Sequence, residues 1–132
     1  LCRLIGKIGE FEATITTRQI KQKLFDAWGE RSTLYHSIDK LISTLKAFDV
    51  LESSKVGVYS IKTHAFSKPE IVNFLLYTIM KIDAAGYYSL LDLEHSLYLF
   101  PFEYQVKKES IMEDDRFLLG TFGGQISFSL KR

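Results

Sequence analysis

The side chains able to cut, transfer or coordinate are few and scattered. The chain has three histidines, His36, His64 and His95, and a single cysteine, Cys2. The histidines lack the short spacing of zinc ligands, and one cysteine supplies neither a zinc knuckle nor an internal disulfide. A lone thiol fits a reducing compartment. Asp92, Glu94 and His95 place carboxylates beside an imidazole, the materials of general acid–base catalysis, but side by side they read as an ordinary helix surface. Glu113-Asp114-Asp115 offers clustered oxygens of the kind a hard cation takes, and the same run also suits the end of a helix. Gly120 to Gly124 lacks the lysine and the strand-to-helix setting of a phosphate loop. No serine sits in a nucleophile-elbow pattern. The expectation is a protein that is not an enzyme and needs no cofactor or metal.

The bulk properties agree with a folded contact module. The 132 residues are 46% hydrophobic, with ten Phe, seven Tyr and Trp28, enough for one compact domain or two small ones sharing a core. Lys and Arg total 17 against 16 Asp and Glu, which excludes a polycation and an acidic tail. Two prolines and eight glycines exclude collagen-like and Pro-rich linker classes. The longest apolar stretch, Ile71 to Ile82, is interrupted by Asn73, Thr78 and Lys81 and is too short to span a bilayer. It reads as a buried helix. No membrane association is expected, and the default location is the cytoplasm. The chain begins at Leu1 rather than Met, so it reads as a trimmed or processed fragment, and no signal peptide is visible.

Charge divides the chain. Residues 1–68 carry 11 basic against 7 acidic side chains, and residues 69–132 carry 6 against 9. The step falls at Ser67-Lys68-Pro69-Glu70, where Ser67 suits a helix cap and Pro69 a first turn. The apolar spacing of Leu1, Leu4, Ile5, Ile8 and Phe11 predicts a first helix. Thr16 or Thr17 caps a second, with Ile20, Leu24, Phe25 and Trp28 inside it and Gly29 at its end. Ser32 or Thr33 caps a third, whose Leu34, Ile38, Leu41, Ile42, Leu45 and Phe48 keep one face apolar for several turns. Val50 to Glu52 and Val56 to Ile61 read as strands around a turn at Ser53-Ser54-Lys55.

This order of helix, helix, turn, longer helix and hairpin resembles the winged helix-turn-helix family. The likeness rests on Ile15-Thr16-Thr17-Arg18-Gln19-Ile20 through Ser60-Ile61, with Leu45-Lys46-Ala47-Phe48-Asp49-Val50-Leu51-Glu52 as the stretch feeding the wing. It covers about half the chain. It implies a winged-helix domain over residues 1–66 and a bacterial or archaeal transcriptional regulator, with double-stranded DNA as partner. A recognition helix needs one face to dock and one to read bases. The resemblance therefore points to Ser32, Thr33, Tyr35 and His36 near bases, and to Arg31 and Lys40 on phosphates or guanine edges. It places Arg18, Lys21 and Lys23 on the backbone from the preceding helix. Lys55 and Tyr59 would lie near the wing tip, with Lys62 just beyond.

Residues 67–132 read as a second helical and hairpin unit. Helix 71–82 is apolar on nearly every side, and Ile71, Phe74, Leu75, Tyr77 and Thr78 are its candidate homodimer interface. Ser89 to Leu97 reads as a short helix, Phe102 to Met112 as another after Pro101, and Arg116 to Leu119 with Gln125 to Leu130 as a hairpin around a Gly120 to Gly124 loop. The unit is a candidate degenerate second winged helix. Its acidic face, Glu94, Glu103, Glu109, Glu113, Asp114 and Asp115, repels phosphate and suits a protein partner. Phe100, Phe102, Tyr104 and Phe122 would supply that contact. The fold class expected is mainly α with small β-hairpins, α+β. The alternative to DNA binding is a protein-interaction module within a larger complex.

Overall fold

The structure is a computed structural model and describes residues 1–131. It is mixed α+β, with six α-helices and short strands in small sheets among the described residues. The chain divides into two compact units, Leu1–Thr63 and His64–Arg132. The division falls three residues before the expected one because strand β4, His64–Phe66, pairs in parallel with β6, Phe102–Tyr104, inside the second unit.

In the first unit the order is α1 (Cys2–Gly9), β1 (Thr14–Thr16), α2 (Thr17–Trp28), α3 (Ser32–Ala47), β2 (Leu51–Lys55) and β3 (Val58–Ile61). The strands form one antiparallel sheet in the order β1-β3-β2. Strand β1 is an addition to the sequence reading. Its three residues carry no alternation of their own, and only the register Ile15 opposite Tyr59 makes them a strand. It runs straight into α2 through a reciprocal cap. The Gln19 N–H donates to Thr16 Oγ1 (3.1 Å) and the Thr16 N–H donates to Gln19 Oε1 (2.8 Å). Gly29 closes α2 at φ +78°, a backbone that side chains other than glycine resist.

Helix α3 starts at Arg31 without a side-chain cap, so neither Ser32 nor Thr33 caps it; both lie inside its first turn. Its other end is a Schellman closure. The Val50 N–H donates to the Leu45 carbonyl, the Asp49 N–H donates to that of Lys46, and Asp49 is left-handed at φ +57°. That turn delivers Val50 and Leu51 to a core of Ile5, Ile15, Ile20, Leu24, Ile38, Ile42 and Leu45.

The second unit adds α4 (Pro69–Asp83), β5 (Tyr88–Ser89), α5 (Leu90–Glu94), a 3₁₀ turn at Leu97–Leu99, α6 (Lys108–Met112), β7 (Phe117–Phe122) and β8 (Gln125–Leu130). Lys68, not Ser67, is the α4 N-cap and makes no side-chain bond. The expected helix over 102–112 is instead strand β6, a loop and the five-residue α6, because Phe102 to Tyr104 pair with β4. The core gathers Val72, Leu76, Met80, Leu93, Ile111 and Phe128.

Setting aside β4, β6 and the 3₁₀ turn, the second unit repeats the order of the first. Both run helix, short strand, helix, helix, hairpin, and the sheet order β5-β8-β7 matches β1-β3-β2. The join repeats as well: Ser89 caps α5 with Asp92 as Thr16 caps α2 with Gln19. Buried Tyr88 faces Phe128 where buried Ile15 faces Tyr59. The third helix differs most, with 16 residues in α3 and 5 in α6.

Ala84 ends α4 in the left-handed region at φ +53°. A left-handed alanine is strained and glycine is not, so Ala84→Gly is expected to raise the unfolding free energy by about 0.5–1 kcal/mol. A higher urea midpoint at unchanged slope checks this.

Candidate nucleic-acid interface

Residues three or four apart share a helix face. On α3 the buried Ile38, Ile42 and Leu45 form the docking face. Opposite them Thr33, His36, Lys40, Thr44 and Ala47 lie exposed in one line, flanked by exposed Ser32 and Ser43. No carboxylate stands in that line; Asp39 lies at its edge. Arg31 and Lys40 carry no ion-pair partner among the described residues. The Ser43 and Thr44 hydroxyls donate to the carbonyls four residues back, each at 2.9 Å, which leaves them lone pairs for a donor such as a base amino group. The structure therefore brings Ser32, Thr33, His36 and Lys40 to one surface, while Arg31 lies exposed at the extended N-cap before the helix. The sequence reading omitted Thr44; its position four residues after Lys40 is the signal that finds it.

Tyr35 is placed differently from the expectation. Its ring packs on Phe25 of α2 with centroids 4.8 Å apart, and the Lys21 ammonium lies 5.5 Å from its centre. Its hydroxyl donates to Glu30 at 2.7 Å, and this bond, first among the causes, raises its pKa. Tyr35 and Lys21 thus join α2 to α3 rather than lining the polar face of α3. Arg18 stays exposed in the first turn of α2.

The hairpin is also rearranged. Lys55 is the cation at its tip, beside the turn at Val56-Gly57, where Gly57 has φ +72°. Tyr59 sits half-buried between Ile15 and Ser53 rather than at the tip. Lys62 lies at the base of the hairpin, its ammonium 3.0 Å from Asp49 and 3.6 Å from Glu52. The hydrogen bond to Asp49, more than any other cause, raises the Lys62 pKa. Two carboxylates already neutralise this lysine.

In the second unit α4 splits the proposed dimer residues. Ile71 and Phe74 are exposed, at 40% and 58%. Leu75 and Tyr77 pack on the core, and Tyr77 also meets Phe117 edge-on and the Arg116 guanidinium at 5.3 Å. Thr78 is half-buried and donates to the Phe74 carbonyl.

The aromatic surface is smaller than expected. Tyr104 donates to the Leu93 carbonyl at 2.6 Å, and burial pushes its pKa up to about 12. Phe102 packs at a tilt against Phe66, Phe100 is half-buried, and Phe122 stands out exposed against Tyr87. Asp114, one of the expected repelling acids, is taken up by Arg116 and Asn73. Among the described residues no three His, Cys, Asp or Glu side chains gather as metal ligands, and no helix is long and apolar enough to cross a membrane. The chain matches no protein-family model, no curated protein and no solved structure.

Proposed function

We propose that the first unit is a winged helix-turn-helix module that binds double-stranded DNA, and that the protein regulates transcription. The observation that carries this reading is the α3 surface. Thr33, His36, Lys40 and Thr44 form an exposed, carboxylate-free line flanked by Ser32, with exposed Arg31 at the N-cap, on a helix held from behind by Ile38, Ile42 and Leu45. Helix α3 enters the major groove, with its N-terminal residues on base edges, while Arg18 and Lys55 hold phosphates on either side. The second unit keeps the order of the first but lacks a comparable third helix, so it contributes protein contacts rather than base readout.

Salt titration tests the proposal. If Arg18, Arg31, Lys40 and Lys55 each neutralise a phosphate, log affinity for random-sequence duplex falls against log salt with a slope of about −3 to −4. Arg31→Glu combined with Lys40→Glu is expected to cut affinity at low salt by about a hundredfold or more. Fluorescence anisotropy of labelled duplex reads both. Absence of binding at low salt turns the reading to a protein-interaction module. That second reading is favoured by the exposed apolar side chains of the second unit and by a net charge of only +1.

A further inference from the structure

Strand β7 is an open edge without the usual protections. In its sheet it pairs only with β8, so its other side offers backbone donors and acceptors to a further strand. Phe117 to Leu130 is a run of 14 residues without a charge, in a chain that is 25% charged. Leu118, Leu119, Phe122 and Ile126 are exposed on this hairpin, and Phe122 is steadied by Tyr87, ring centroids 4.7 Å apart. The corresponding edge strand of the first unit, β2, carries Glu52 and Lys55. Charges of that kind discourage edge pairing, and β7 has none.

We propose that β7 is a self-association edge, at which two copies of the chain pair their β7 strands antiparallel about a two-fold axis. The exposed apolar side chains are self-complementary in this orientation. A two-fold axis at Gly120 sets Leu118 of one copy opposite Phe122 of the other, so exposed apolar side chains meet on one face. The same register sets Asp115 and Arg116 across from Gln125 and Gly124 of the other copy, where no like charge waits. A parallel in-register pairing would set each charge against its own copy. The antiparallel join makes one continuous six-stranded sheet from two three-stranded ones. This surface differs from the α4 face and acts whether or not the first unit binds DNA.

Sedimentation equilibrium of the whole chain across a dilution series tests it. The expected mass tends to twice 15.2 kDa at high concentration. Leu118→Lys and Phe122→Lys, each at an exposed position, are expected to raise the dimer dissociation constant by about tenfold or more with unchanged circular dichroism. Ile71→Lys on α4 leaves it unchanged. In a Cys2→Ser background, Leu118→Cys with Phe122→Cys is expected to yield a disulfide-linked dimer on oxidation, whereas Phe74→Cys yields little. A monomer at every concentration overturns the proposal and leaves the edge to an unrelated protein strand. A dimer broken by Ile71→Lys but not by Leu118→Lys overturns it in favour of α4.

Discussion

Phe128→Ala is expected to lower the unfolding free energy by about 3–5 kcal/mol. Phe128 is 1% exposed in β8, the central strand of its sheet, with Tyr88 facing it on one side and Leu119 on the other. Its ring belongs to the cluster of Leu76, Leu93, Ile111 and Phe117. Truncation removes both the transfer free energy of the ring and its packing contacts, because strands fixed on both sides cannot collapse onto the void. Phe128→Leu keeps most of the volume and is expected to cost under about 2 kcal/mol. Urea unfolding followed by circular dichroism gives both values. A loss below about 1 kcal/mol for alanine would mean that this ring does not anchor the second unit.

Asp114→Ala is the second large effect, and it carries a pH signature. Asn73, buried at 5%, donates its amide to the Ser110 carbonyl, to Ser110 Oγ and to Asp114 Oδ2. Arg116 grips the same carboxylate with Nε at 2.9 Å and Nη2 at 2.6 Å. The network ties α4 to the start of β7. The Arg116 side chain, more than any other cause, holds the Asp114 carboxyl down at about 2, against an ordinary 3.8. A carboxyl with a depressed folded pKa contributes stability that is complete above the ordinary value and is lost as pH falls towards about 2.

Arg116 is 40% exposed, so solvent screening trims the contribution, and the expected loss near neutral pH is about 2 kcal/mol. The gap between wild type and Asp114→Ala should close as pH drops from 3.8 to about 2. Asp114→Asn keeps the shape but not the charge and should show the same closing gap. A difference constant over that range would assign the loss to packing rather than to the ion pair.

Much of the first unit is legible because its signals are local. Helix α3 follows from Leu34, Ile38, Leu41, Ile42 and Leu45 at helical steps, since a helix brings residues three and four apart onto one side. Thr16 announces α2 because its capping partner, Gln19, is three residues away. Lys55 is legible at a turn for the same reason. The polar face of α3 needs only this periodicity, so Ser32, Thr33, His36 and Lys40 are placed together from the sequence.

The missed strands share one physical cause: partners distant along the chain. Strand β1 exists because β3 lies more than 40 residues later, and β6 because its β4 partners lie 38 residues earlier. Three-residue strands have no periodicity of their own to reveal them. Tyr35 has a hydroxyl and a ring suited to a base contact, and only the approach of Phe25 and Glu30 turns it to the α2–α3 join. Lys62 looks like any exposed cation until the α3 closure sets Asp49 beside it. The acidic run 113–115 loses Asp114 to Arg116 and to Asn73 on α4.

Sequence alone therefore determined α1 to α4, the cap of α2 and the polar face of α3, since each depends on residues within a turn or two of one another. Tertiary structure decided which strands exist, which cations stay unpaired and which apolar side chains remain outside. Those outcomes depend on which distant segments meet, and neither residue type nor spacing encodes that meeting directly.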